Sequence, residues 1–232
     1  MPAFVVEHLD PELGPWSTLE YACIARESHA HGARFLLSSV PAELQMPAEL
    51  AATQGLEVEQ RSVENIFAKD KVCLLDPSAQ VELSPEDGDH FEVFLFGGIL
   101  GDDPPRDRTS ELRKKGYVGR RLGPKQMTTD TAVRVTRIVV QEKVPLEQIP
   151  YVDYPELHIN EHERTEMPFR YVIDAQGQPI MPDIDEDGEF HTDPGDNKGR
   201  RQRIDRPRLG QAVRSVITST LSFSLCASIL SS

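Results

Sequence analysis

The sequence predicts a soluble α/β domain, a parallel sheet with helices on both faces, and three observations predict it. Short apolar β-type runs alternate with helical segments from the N-terminus to Pro150, the order in which strands need a helical crossover to pair in parallel. The 232 residues suffice for one well-buried core and are too few for two typical domains. With 38% hydrophobic and 27% charged residues, the composition is that of a soluble folded chain.

The elements follow in order. "AFVVEHL" reads as the first strand and "WSTLEYACIARESHAHG" as a helix ending near Gly32, with Leu19, Ala22, Cys23 and Ala25 as its apolar face. "ARFLLSSV" is a second strand, "PAELQMPAELAATQG" a helical segment interrupted by Pro47, and "KVCLLDPSA" a third strand stopped at Asp76 and Pro77. "FEVFLFGG" is a fourth strand, "RDRTSELRKKG" a helix with cations at its C-terminal end, "YVGRRLG" a fifth strand, and "MTTDTAVRVTRIVVQEK" a longer helix. After Pro150 the composition turns extended and proline-punctuated, with "DAQGQ" as a hairpin turn. The domain is therefore read as residues 1–182. From Asp183 to Ser232 the chain is acidic, then basic, then Ser-rich, and reads as a poorly folded tail.

Charge and cysteine content restrict the partners. A net charge of -13 opposes approach to a phosphate backbone and favours cationic surfaces. Cys23, Cys73 and Cys226 have no paired spacing, so neither a disulfide framework nor a zinc module is indicated. The N-terminus lacks the pattern of a signal peptide, and the expected location is the cytoplasm, with no membrane partner.

In an open α/β sheet, ligands sit beyond the carboxyl ends of strands. Three predicted strands close on ladder-breaking residues: "LLDPSA", "LFGGILGD" and "RRLGPKQMTTD". Gly97 and Gly98 form either a tight turn or a place where a ligand's flat face approaches the main chain. The glycine spacing of a dinucleotide site is missing, and two aspartates and two prolines stand where phosphate would lie, so NAD and ATP fit poorly. A phosphate-free ligand carrying positive charge suits Asp102 and Asp103 better, and S-adenosylmethionine has that description.

"LFGGILGDDPPRDRTSEL" followed by "RRLGPKQMTTDTAVR", with "EHL" near the start and "TEMPFRYV" later, resembles the SPOUT-superfamily methyltransferases of the fungal protein-arginine type over roughly Phe4 to Pro182. That resemblance implies a trefoil-knotted α/β fold, S-adenosylmethionine bent inside the knot, and a small-subunit ribosomal protein as methyl acceptor. Carried over by position, the cofactor loops are Leu75, Asp76 and Pro77; Phe96, Gly97, Gly98, Ile99, Leu100 and Gly101; and Arg121, Leu122, Gly123, Gln126, Met127, Thr128 and Thr129. Ile99, Leu122 and Met127 are expected to wall the pocket. Thr128 or Thr129 is expected to cap the following helix, with Asp130 in its first turn. Relatives continue into a further C-terminal helix where this chain turns charged and Ser-rich, so an altered C-terminal extension is expected.

Arginine methylation needs a carboxylate that grips the guanidinium and takes its proton. Asp102 and Asp130 are the catalytic candidates, and Glu7 and Asp153 the outer contacts of the substrate. The acidic chain favours a basic ribosomal protein as partner. RNA is the second choice, through a basic strip of "RKKGYVGRR" with Arg106, Arg108 and Lys125. A non-catalytic ribosome-binding module is the third, and monomer or homodimer stays open. "DIDEDGEFHTDP" opens like a calcium loop, but Pro194 stands where the bidentate glutamate belongs. His158 and His162 lie in an extended stretch with no third ligand, so no metal is expected.

Overall fold

The computed structural model describes residues 1–8, 12–98, 108–160 and 163–182. In chain order these contain β1 (Ala3–Glu7), α1 (Pro15–Ala30), β2 (Arg34–Ser38), α2 (Ala48–Ala51), β3 (Leu56–Val58), β4 (Val72–Leu75), α3 (Asp87–His90), β5 (Val93–Gly97), α4 (Arg108–Lys114), β6 (Val118–Arg120), α5 (Thr129–Gln141), β7 (Tyr151–Asp153), β8 (Glu156–Asn160), β9 (Glu163–Glu166) and β10 (Arg170–Val172).

Six strands form one sheet in the order β3-β2-β1-β5-β4-β6, every pair parallel. Side chains alternate across a strand, so each apolar run feeds two cores. Phe4, Val6, Phe35, Leu37, Cys73, Leu75, Phe94 and Phe96 face one core, which α1 and α5 cover. Ala3, Val5, Leu36, Val72, Leu74, Val93 and Leu95 face the other, with Leu112 of α4 and Val63. Both faces are covered, as the alternation of strand and helix predicts.

α1 begins at Pro15 behind Gly14, where a proline's missing amide costs no helical bond. It is buried on several sides, at Thr18, Glu20, Tyr21, Ile24 and Ala25, because it packs against both the sheet and α5. The segment "PAELQMPAELAATQG" yields only the single turn α2 after Pro47, as an interior proline requires. The edge strand β3 is an addition to the predicted elements. Its three residues, Leu56 to Val58, are too few to show a period in the sequence and are paired only through β2.

Beyond Pro150 the chain forms antiparallel pairs, β7 with β10 and β8 with β9. The "DAQGQ" turn forms as predicted: the Gln178 carbonyl accepts from the Asp174 amide at 2.8 Å, and Gly177 takes the left-handed conformation at φ 79°. The extension is tied to the sheet body through Arg170, whose amide donates to the Gln126 carbonyl at 2.9 Å.

Candidate active site

The register of the sheet brings the selected strand ends together. Glu7 pairs with Gly97, Leu75 with Phe96, and Leu75 with Arg120, so β1, β5, β4 and β6 finish within about one residue of a common line. The three predicted loops therefore leave three neighbouring strands at the same edge. In this strand order the direction of winding also reverses beside β1 and β5, the crevice where open α/β sheets accept ligands.

In the first loop, Asp76 is buried and Arg113 of α4 grips it with two hydrogen bonds, Nε to Oδ2 at 2.5 Å and Nη2 to Oδ1 at 2.8 Å. The Ser78 amide donates to Oδ1 as well. Burial raises the proton affinity of this carboxyl, but Arg113 and Ser78 outweigh it and hold Asp76 below the ordinary carboxylate range. The aspartate thus pins Leu75, Asp76 and Pro77 to α4 and shapes the loop through its backbone.

In the second loop, a Cβ on Gly97 would come 3.1 Å from Thr109 Oγ1, and one on Gly98 would come 3.3 Å from the Glu7 carbonyl. The close approach that excludes a side chain is made by the protein itself, with α4 on one glycine and β1 on the other. Ile99, Leu100, Gly101 and Asp102 lie outside the described residues, as do Arg106 and His162.

The third loop is held at each end. The Arg121 amide donates to the Val81 carbonyl and the Leu83 amide to the Arg121 carbonyl, both at 2.9 Å. Gly123 is left-handed at φ 89°. Leu122 and Met127 are half-buried against the first core, and Met127 bridges to Arg170 in parallel. Thr128 occupies the N-cap position of α5 but makes no side-chain cap, because its hydroxyl donates to Thr131 Oγ1 at 2.8 Å. The cap comes instead from α1, where Glu20 Oε1 accepts from the Thr129 amide at 2.9 Å. Periodicity gave no sign of Glu20, which lies 109 residues away in sequence.

Asp130 is 1% exposed, in a polar compartment between α1, α5 and β10. Oδ2 lies 3.4 Å from Arg134 Nη1, while Oδ1 has no hydrogen-bond partner among the described residues. Glu27 grips Arg134 with both oxygens, each at 2.9 Å. Burial pushes Asp130 up, against the opposing pull of Arg134. Burial, and then the charge of Asp130, push Glu20 well above the carboxylate range. Burial likewise lifts the Cys23 thiol to about 12 and raises Tyr171.

The two outer candidates are engaged within the fold. Glu7 is buried and accepts from Ser38 Oγ at 2.5 Å, Ser39 Oγ at 2.7 Å, Ser62 Oγ at 2.6 Å and the Val63 amide at 3.1 Å. Its oxygens brace the turn after β2, where Ser39 is left-handed. Asp153 pairs with Arg170 at 2.6 and 3.0 Å beside the third loop, and Arg170 stacks 4.7 Å over Tyr151. The Arg170 hydrogen bond lowers the Asp153 pKa.

Four cations of the basic strip are matched by acid. Arg113 pairs with Asp76, Lys115 with Glu64 at 3.0 Å, Arg120 with Asp87 at 2.9 Å and Arg121 with Glu82 at 3.2 Å. Lys125 stacks 5.0 Å over the Tyr154 ring. Among the described residues, no group of three or more His, Cys, Asp or Glu is placed to hold a metal ion. No helix among them is long and apolar enough to cross a membrane.

Residues 3–185 match the family of SFM1-like protein arginine N-methyltransferases. Protein arginine N-methyltransferase SFM1 of Saccharomyces cerevisiae is 43% identical over 196 residues, which cover 78% of this chain and 90% of the yeast protein. The crystal structure of yeast SFM1 complexed with SAM (S-adenosylmethionine) superposes with a TM-score of 0.70 at 42% identity, covering 78% of this chain and 86% of that one. The corresponding SAH (S-adenosylhomocysteine) complex gives 0.71 at 42% identity, covering 78% and 91%.

Proposed function

The chain belongs to the SFM1-like protein arginine N-methyltransferase family, and from that premise we propose that it transfers a methyl group from S-adenosylmethionine to an arginine of a basic, small-subunit ribosomal protein in the cytoplasm. The observation that carries this reading is the convergence of β5, β4 and β6 on three loops at one sheet edge, in the fold of a relative whose structure holds SAM. The site suits that donor. Half-buried Leu122 and Met127 offer an apolar wall.

When bound, S-adenosylmethionine supplies an activated methyl on a sulfonium and a neutral thioether as the leaving group. Methyl transfer of this kind asks the protein chiefly for alignment. Leu75 to Pro77, Phe96 to Gly101, Arg121 to Gly123 and Gln126 to Thr129 would hold the donor. The guanidinium nitrogen that gains the methyl must lose one proton, and a carboxylate of raised proton affinity is suited to receive it. We assign that role to Asp130, whose buried Oδ1 has no hydrogen-bond partner among the described residues and whose pKa is raised, with Asp102 as the carboxylate that grips the guanidinium. Asp130→Asn is expected to lower kcat by roughly 10²–10⁴-fold while SAH affinity, measured by calorimetry, changes little. A variant with wild-type kcat would remove Asp130 from this role.

The trefoil knot of the SPOUT fold is part of the same proposal. In support of it, the segment from Arg121 to Thr128 leaves the edge strand β6 bonded to Val81 and Leu83 and ends beside Glu20 of α1. The ribosomal-protein target is supported by the net charge of -13 and by the carboxylates that match the basic strip, which leave less free cationic surface for RNA. The test is an isotope-labelled methylation of ribosomal extract, separated into protein and RNA and followed by mapping of the modified atom. Label on a guanidino nitrogen of a small-subunit protein is expected, and label confined to RNA would overturn the target.

A further inference from the structure

We propose that Glu20 is a positioning residue of the donor site: a carboxyl supplied by α1 that caps α5 and so fixes the backbone of the third loop. This rests on the methyltransferase reading above, and it concerns a side chain that touches neither methyl nor guanidinium.

The first turn of any helix leaves amides without intrahelical partners, and the residue before it usually supplies the oxygen that satisfies them. Here that residue is Thr128, and its hydroxyl is turned to Thr131. The first intrahelical bond runs from the Ala132 amide to the Thr128 carbonyl, so Thr129, Asp130 and Thr131 must find acceptors elsewhere. Glu20 Oε1 accepts from Thr129 at 2.9 Å, and the Asp130 amide and the Trp16 side chain also donate to this carboxyl. Glu20 is 2% exposed and Thr129 8%, so water is a poor substitute for either.

The position of this cap gives it functional weight. The eight residues between β6 and α5 are anchored by Arg121 to the segment at Val81 and Leu83, by Gln126 to β10, and at their far end by Glu20. Without the last anchor, the Thr129 amide loses its acceptor and the stretch from Met127 to Thr129 is held only by Gln126 and by the first bonds of α5 itself. Loop residues that hold a ligand through their backbone must be fixed before it arrives, because ordering them on binding lowers affinity. The cap needs an acceptor oxygen and no net charge. Burial beside Asp130 favours the neutral acid, whose carbonyl oxygen still accepts from the amide.

The test compares Glu20→Gln with Glu20→Ala in the full chain, reading SAH affinity by calorimetry and amide hydrogen exchange at Thr129 and Asp130. Glu20→Ala is expected to weaken SAH binding by roughly five- to tenfold, the size of a lost cap, and to speed exchange at those two amides. Glu20→Gln, which keeps the oxygen, is expected to recover both. Should the alanine variant fail to fold, Glu20→Met fills similar volume without an oxygen and is expected to show the alanine phenotype. A folded Ala or Met variant with wild-type affinity and exchange would overturn the proposal, as would a Gln variant as weak as Ala. If the wild-type chain binds no SAH, the methyltransferase reading fails instead, and the exchange data alone decide the cap, with unchanged exchange in Glu20→Ala overturning it.

Discussion

Glu20 and Asp130 share one buried compartment, and the chemistry of the site turns on which of them carries the proton. Asp130 has Arg134 at 3.4 Å to favour its anion, whereas Glu20 faces the Asp130 charge with no guanidinium among its partners. These surroundings favour the proton on Glu20 and the anion on Asp130. Linkage fixes the sign of the consequence. A carboxyl whose folded pKa is raised contributes stability that is complete below its unfolded pKa, near 4.5 here, and that is lost as pH rises through the folded value. Each unit of elevation is worth about 1.4 kcal/mol. Glutamine cannot lose this proton, so the melting temperature of Glu20→Gln relative to wild type should be higher at pH 8 than at pH 5. Thermal denaturation at both values measures it, and a difference independent of pH would mean that Glu20 is already ionised. The surrounding groups, Cys23 and Glu27 on α1, Arg134 on α5 and Tyr171 on β10, are the same in both proteins, so the comparison reads the proton of the Glu20–Asp130 pair.

α5 is the element on which the site depends, since it begins where the third loop ends and packs on α1, α3 and β10. Its contact with α3 is tight: a Cβ on Gly88 would fall 2.5 Å from the Val140 carbonyl and 2.9 Å from Val140 Cβ. Backbone cannot yield as a side-chain tip can, so Gly88→Ala must push α3 away from α5. A loss of about 1–3 kcal/mol in urea unfolding is expected; an unchanged midpoint would mean that the two helices slide freely. The helix itself was legible in the sequence, as were the five strands of alternating or continuous apolar type, because their periods are local. The strand ends that open the three loops were legible too, through their ladder-breaking residues. What the sequence hid depends on contacts distant along the chain. β3 exists because β2 offers it an edge, Glu20 reads as an ordinary helical glutamate until α5 is laid against it, and Glu7 looks like a solvent-facing strand end until Ser38, Ser39 and Ser62 surround it. The acid partners of four cations around β6 were hidden for the same reason, since Asp76, Asp87, Glu64 and Glu82 come from other segments.

At the scale of the whole molecule, the net charge of -13 acts beyond any single contact. A net charge of this sign attracts cationic surfaces in general and repels a phosphate backbone, with a reach of about 10 Å at 0.1 M salt. Salt alone does not separate the two substrates, because electrostatic binding of either weakens as ionic strength rises. The sign of a surface charge does separate them. Lys125 lies in the third loop's span with its ammonium over the Tyr154 ring, in a position to meet whatever macromolecule docks at this edge. For a basic protein substrate, Lys125→Glu removes a repulsive charge and adds an attractive one, so kcat/KM at low salt should rise by roughly two- to tenfold and then fall more steeply with salt than in wild type. For an RNA substrate the same change removes a phosphate contact, so activity should drop and the salt slope should flatten by about one. SAH affinity, measured alongside, reports whether the loop itself has been disturbed. A rise in kcat/KM with unchanged SAH binding would mark the docking partner as cationic, and a fall under the same condition would transfer the reading to RNA.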